Sequence, residues 1–227
     1  MCGRFTLSQS AEALAIAFDL EEVPPVPPRY NIAPTQPIAV VRSLTHSSTT
    51  SERELTYLSW GLVPSWAKDP KIGTKLINAR AETLAEKPSF RAAFKRRRCL
   101  IVADGFYEWH RTPEGKQPYY FHLQDHQPFA FGGLWEHWEN GNGDVIESCA
   151  IITTAANEVL SPIHDRMPVI LEPKGYDLWL DPTVEKAQDL HTLLRPYAAD
   201  AMVSYPVSST VNNPRHDSPE CIDPLEA

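Results

Sequence analysis

Between Cys99 and Thr154 the chain carries a series of short apolar or alternating runs with no crossover helix between them. CLIV (99–102), PYYFHL (118–123), FAFGGLWEHW (129–138) and SCAIITT (148–154) are separated by turn chemistry such as PEGK (113–116) and NGNGD (140–144). Parallel neighbours need a connection of a dozen residues or more, usually a helix, so strands joined by such short turns run antiparallel. Further strands are expected at 37–42, 55–62, 167–171 and 202–207, and helices at 10–20, 88–98 and 184–194. Residues 43–54 form a polar Ser/Thr-rich loop, and the proline-rich, acidic residues 212–227 are expected to be a flexible tail. The whole predicts an α+β fold: one domain over residues 1–227, built on a mainly antiparallel, curled, barrel-like sheet with peripheral helices.

Composition narrows the class. A chain of 227 residues, 42% hydrophobic and 22% charged, has the size and balance of a globular domain with a substantial core. A net charge of −8 argues against a protein that coats nucleic acid non-specifically. A local basic groove remains compatible with it, because salt confines charge effects to about 10 Å. The four cysteines are far apart and form no C-x-x-C pair, and Cys99 and Cys149 sit in strand-like runs as small buried hydrophobes. With no signal peptide and no apolar run of spanning length, a monomer in a reducing cytoplasm is expected, nucleoid-associated if the source is bacterial, without membrane attachment. His122 and His126 share a face only in a helix, and here they fall at a strand end, so no metal is expected. No Walker or dinucleotide glycine pattern occurs, and no cofactor is expected.

Several polar residues fall where packing alone does not require them. The chain starts MCGRFT, so removal of Met1 would leave Cys2 with a free α-amine beside its thiol. Asn78 follows an apolar pair in INARAET, Glu108 lies between aromatics in DGFYEW, and His164 precedes a strand in SPIHDRMPVIL. Each has a fold-only explanation: a frayed terminus, a helix cap, a surface ion pair, a loop histidine. Together they supply a thiol, an amide, a carboxylate and an imidazole, which is a catalytic inventory.

MCGRF, RYNIAPTQ, WGLVPSW, INARAET, ADGFYEW and IHDRMPVIL, in this order, resemble the motifs of the SRAP (SOS response-associated peptidase) family, which includes the animal 5-hydroxymethylcytosine-binding protein. The resemblance runs from Cys2 to about Leu171. It implies covalent crosslinking of the N-terminal cysteine to abasic sites in single-stranded DNA, with Cys2, Asn78, Glu108 and His164 as the catalytic set. Under it, Arg4, Arg80 and Arg166 suit phosphate contacts and Trp66 suits stacking on a base, the alternative for Trp66 being an ordinary core aromatic. Asn31 and Thr153 are expected to line the same groove. Two other activities stay open: a thiol peptidase or amidohydrolase using Cys2, His164 and Glu108, and a non-covalent reader of modified bases.

Overall fold

The computed structural model describes residues 2–44, 52–113 and 115–225. Met1, whose removal is expected, lies outside the described residues, as do residues 45–51 of the polar loop. The described elements are β1 (Phe5–Leu7), α1 (Ala11–Phe18), β2 (Arg29–Ile32), β3 (Pro37–Ser43), β4 (Arg53–Trp60), β5 (Asn78–Arg80), α2 (Arg91–Arg96), β6 (Arg98–Ala103) and β7 (Gly105–Thr112). They continue with β8 (Gly115–Leu123), β9 (Phe129–Glu139), β10 (Val145–Ala155), β11 (Arg166–Pro168), β12 (Ile170–Leu171), α3 (Tyr176–Leu180), α4 (Ala187–Leu190) and β13 (Met202–Pro206).

The α+β, curled-sheet expectation holds. Strands β10, β4, β3, β6 and β9 pair in that order, and β9 pairs back onto β10, closing a barrel. Every junction in the ring is antiparallel except β4 with β10. The β9–β10 hairpin is set by its turn chemistry: the Asn140 side-chain oxygen accepts the Asn142 and Asp144 N–H groups at 2.8 and 2.9 Å, and Gly143 takes φ +86°. Residues 167–171, expected as one strand, form two: β11 pairs with β10 and β12 with β9. Val169 bridges them, donating to Ile152 O and accepting from Gly132 N at 2.8 Å each.

A second sheet has the order β13-β8-β7-β1-β2, so β1, near the start of the chain, is an interior strand with neighbours on both sides. Its Phe5 is fully buried, edge-on to Trp60 of β4 (5.2 Å) and Phe131 of β9 (5.8 Å). Phe106 of β7 adds a contact to Phe131 (6.0 Å) and stacks on Phe121 of β8 (5.1 Å). Offset and edge-to-face ring pairs of this kind are each worth about 0.5–1.5 kcal/mol beyond the area they bury. This aromatic joint holds the second sheet on the barrel wall and fixes where residues 2–7 run.

Two expectations fail. Residues 184–194 make only the single turn of α4 and a 3-10 turn, His191–Leu193, because Lys186 at the N-cap offers no capping side chain and of α4 only Leu190 is buried. The expected flexible tail is instead packed through residue 225. Val211 and Cys221 are fully buried in a small second core with Tyr107, Tyr120 and Val207. The Asp217 carboxylate accepts the backbone N–H groups of Tyr30 (2.5 Å) and Asn31 (2.9 Å) and pairs with Arg29. Acidic composition suggested disorder; one carboxylate answering two β2 donors and a guanidinium decides otherwise. Asp217→Ala is therefore expected to cost about 1–3 kcal/mol, the penalty of orphaned donors, with Asp217→Asn recovering part of it. A shift in urea midpoint at constant m-value measures this.

Candidate active site

Antiparallel pairing of β1 with β7 sets Phe5 opposite Phe106 and Thr6 opposite Gly105, and Tyr107 N donates to Arg4 O at 3.0 Å. Continuing that register carries Gly3 to the level of Glu108, so the terminus is led to the carboxylate by the sheet itself. Cys2 is fully buried, and its Sγ lies 3.9 Å from Arg4 O. Burial, with Glu108 close by, pushes its thiol well above the usual range. A neutral thiol is a weak nucleophile and a weak metal ligand, so Cys2 is quiet in this state.

Asn78 opens β5, which is laid parallel on β10 with Asn78 opposite Ile151. Its approach is set by a backbone crossing of two glycines: a Cβ on Gly61 (φ +137°) would lie 2.7 Å from Gly73 O. That crossing lets Leu62 N reach Leu76 O (3.2 Å), while Trp60 Nε1 and Ile151 N both donate to Ile77 O, at 2.9 and 3.0 Å. So held, Asn78 Nδ2 donates to Cys2 O at 2.8 Å, while its Oδ1 is buried with no hydrogen-bond partner among the described residues.

Glu108, on β7, is 3% exposed, and burial raises its carboxyl above the usual carboxylate range; the charge of nearby His164 works against that shift. His164 lies just before β11. Its Nδ1 accepts Arg166 N–H at 2.9 Å, an arrangement that in the neutral ring places the proton on Nε2. The Asp165 carboxylate also lies 3.1 Å from Nδ1. The imidazole lines a cleft of about 420 Å³ with Trp109, His110, Arg111, Pro162, Ile163 and Asp165. A hydrogen bond from Asn78 holds Cys2, and the β1–β7 register brings the start of the chain to Glu108.

The residues expected to face a groove divide. Trp66 is 57% exposed, with its indole N–H 3.4 Å from Pro88 O, and is not a core aromatic. Arg80 is exposed at the end of β5. Asn31 is fully buried: its Nδ2 donates to the carbonyls of Val211, Asn213 and His216 and its Oδ1 accepts from Arg4, so it cannot line an open groove. Arg4 is likewise engaged internally, with Asn31 Oδ1 and Val211 O at 2.7 Å and Asn212 O at 3.2 Å. Thr153 is fully buried, and its carbonyl accepts from Arg166 at 2.6 Å. Arg166 also holds Glu82 in a two-pronged pair at 2.6 and 2.9 Å. Glu82 and Asn212 were absent from the sequence-based set. The first stands inside INARAET and could have been noticed there, whereas the second carries no local signal. Asn212 Oδ1 accepts the Trp109 indole N–H at 2.6 Å, beside Glu108 in sequence.

The molecule thus defined is a closed-barrel protein whose own first residues are threaded against a buried carboxylate and an imidazole-lined cleft. The family model "SOS response associated peptidase (SRAP)" matches residues 1–214. The chain belongs to this family. It is 47% identical to the abasic site processing protein YoqW of Bacillus subtilis (strain 168), covering 98% of this chain and 99% of that one. To the abasic site processing protein HMCES of Xenopus tropicalis it is 36% identical, over 86% of this chain and 65% of that one. An X-ray crystal structure of a Bacteroides thetaiotaomicron protein aligns with a TM-score of 0.86 at 25% identity, covering 99% of this chain and all of that one.

All four thiols are buried and free. Alkylation by iodoacetamide is therefore expected to be at least about 10-fold slower in the folded chain than in urea. Because burial raises the Cys2 thiol, its rate should still climb above the pH, about 8.5, at which a free cysteine is half ionised. Mass-resolved labelling against pH measures both.

Proposed function

We propose that this chain processes abasic sites in single-stranded DNA by capturing the ring-opened sugar covalently through Cys2 once Met1 has been removed. The observation that carries the proposal is geometric: a buried Cys2 whose carbonyl is held by Asn78 and which the β1–β7 register leads to the buried carboxyl of Glu108. The names of the similar proteins point to the same lesion. An abasic sugar exposes an aldehyde when its ring opens, and His164 Nε2–H can donate to the ring oxygen as it does so. The α-amine of Cys2 attacks the aldehyde carbon, a proton passes from nitrogen to Glu108, and loss of water gives an imine. The thiol then adds to the imine carbon, forming a C–S bond while its proton goes by way of Glu108 to the nitrogen, and a five-membered thiazolidine closes. An unperturbed α-amine, with a pKa of about 7.7–8.0, already has a reactive fraction at neutral pH. Burial raises the Glu108 carboxyl above the usual carboxylate range, which makes it a better proton acceptor than an exposed carboxylate. Asn78, bonded to the Cys2 carbonyl, holds the nucleophile in place.

A thiol peptidase is the second reading, favoured by the wording of the family description. It needs a thiolate activated by an imidazole. The Cys2 thiol is raised rather than lowered, and its Sγ bonds a backbone carbonyl, so the resting geometry favours the amine-first route.

Purified protein is expected to lack Met1 by intact mass and to form a heat-stable adduct with abasic single strands. Cys2→Ser should give only an imine, trapped by borohydride and otherwise reversed by heat. A heat-stable Cys2→Ser adduct without reductant would falsify the aminothiol mechanism.

His164→Ala should slow adduct formation by about 10²–10⁴-fold without changing the product mass. Glu108→Ala should lose most rate below neutral pH, where an unassisted α-amine is mostly protonated. Time courses from pH 6 to 9 test both; wild-type rates throughout would remove these residues from the chemistry.

Among the arginines, the outward-facing Arg80 should carry phosphate contact and the internally bonded Arg4 should not. Arg80→Gln is expected to flatten the log–log salt dependence of single-strand binding by about 0.7. Arg4→Gln should lower the melting temperature and leave that slope alone.

A further inference from the structure

We infer that Glu82 stands in for a DNA phosphate on Arg166, and that its displacement makes the groove selective against undamaged strands; this rests on the function proposed above. The Arg166 guanidinium is fixed before any ligand arrives. Its side chain is 13% exposed, and Nη2 donates to Thr153 O at 2.6 Å. Nη1 and Nη2 meet the two Glu82 oxygens at 2.6 and 2.9 Å, while Nε is buried without a hydrogen-bond partner among the described residues. A carboxylate and a phosphate present the same pair of acceptor oxygens to an arginine fork.

Glu82 has the properties of a displaceable occupant. Its side chain is 52% exposed, and it rides on a single 3-10 turn, Ala81–Thr83, whose N-cap residue Arg80 makes no side-chain capping bond. A phosphate would replace this pair with an equivalent two-pronged one, so the exchange is nearly balanced. The exchange occurs beside the candidate chemistry, since the same Arg166 donates its backbone N–H to His164 Nδ1. Glu82 also lies two residues from the outward-facing Arg80. A phosphate seated on Arg166 must expel a carboxylate that then regains counterions. The net release of ions is small, and the intact chain gains little from that contact. A strand without a reactive aldehyde therefore leaves easily, whereas an abasic strand is retained by the covalent step.

The test uses the full-length chain, an undamaged single-stranded oligonucleotide and its abasic counterpart. Glu82→Gln should bind the undamaged strand about threefold tighter or more, because it removes the competitor, and should steepen the log–log salt slope by about 0.7. In an Arg166→Lys background, which keeps the charge and loses the fork, the gain from Glu82→Gln should vanish. Unchanged melting temperatures guard against misfolding. Weaker or equal binding by Glu82→Gln would overturn the inference and make Glu82 a prop for Arg166. A gain that survives in the Arg166→Lys background would also overturn it, as a general charge effect. If the wild type forms no adduct with the abasic strand while Glu82→Gln still tightens plain-strand binding through Arg166, crosslinking fails and the phosphate stand-in holds.

Discussion

The structure depends on the burial of Phe5. A chain terminus ordinarily frays, yet here residues 5–7 form an interior strand, and the Phe5 ring meets Trp60 and Phe131 of the barrel edge-on. Three residues upstream, Cys2 has little freedom left. Its carbonyl is held by Asn78, and the β1–β7 register leads it to Glu108. The entropy of ordering a terminus, about 1–2 kcal/mol per residue, is met by core packing rather than by contacts at the site. The site is thereby ordered in advance.

The electrostatics follow from the same burial. Cys2 and Glu108 share one poorly solvated region, and each is shifted toward its neutral form, chiefly by desolvation. A neutral thiol is protected from indiscriminate alkylation and oxidation.

The basic residues sort by the depth at which they sit. Arg4 is an internal tie, joining the start of the chain to Asn31 and the Val211–Asn212 carbonyls. Arg98 is deeper still and 4% exposed; burial lowers it to about 10, and it donates to the carbonyls of Phe94, Lys95, Trp179 and Asp181. Arg80 faces outward, and Arg166 stands between the two classes, anchored inward and paired outward. Counting charges along the chain cannot make this division, because guanidinium behaviour is set by which acceptors surround it.

By itself the sequence determined the sheet-rich class and most of the strands, because alternation of apolar residues and turn-forming NGNGD or PEGK segments are local signals with local causes. It also singled out Cys2, Asn78, Glu108 and His164, since a thiol, an amide, a carboxylate and an imidazole next to apolar runs are hard to account for by packing. Strands β1 and β2, of three and four residues, left no readable period, and β7 read as a motif rather than a strand. Only the tertiary structure closed the barrel through β9 and β10, buried Asn31 and Thr153 that looked groove-facing, and exposed Trp66. Only it folded the acidic tail back onto β2 through Asp217 and set Glu82 on Arg166. The reason is range. Register and burial are decided by partners such as Arg4 and Val211, 207 positions apart, and no local pattern records who meets whom across that distance.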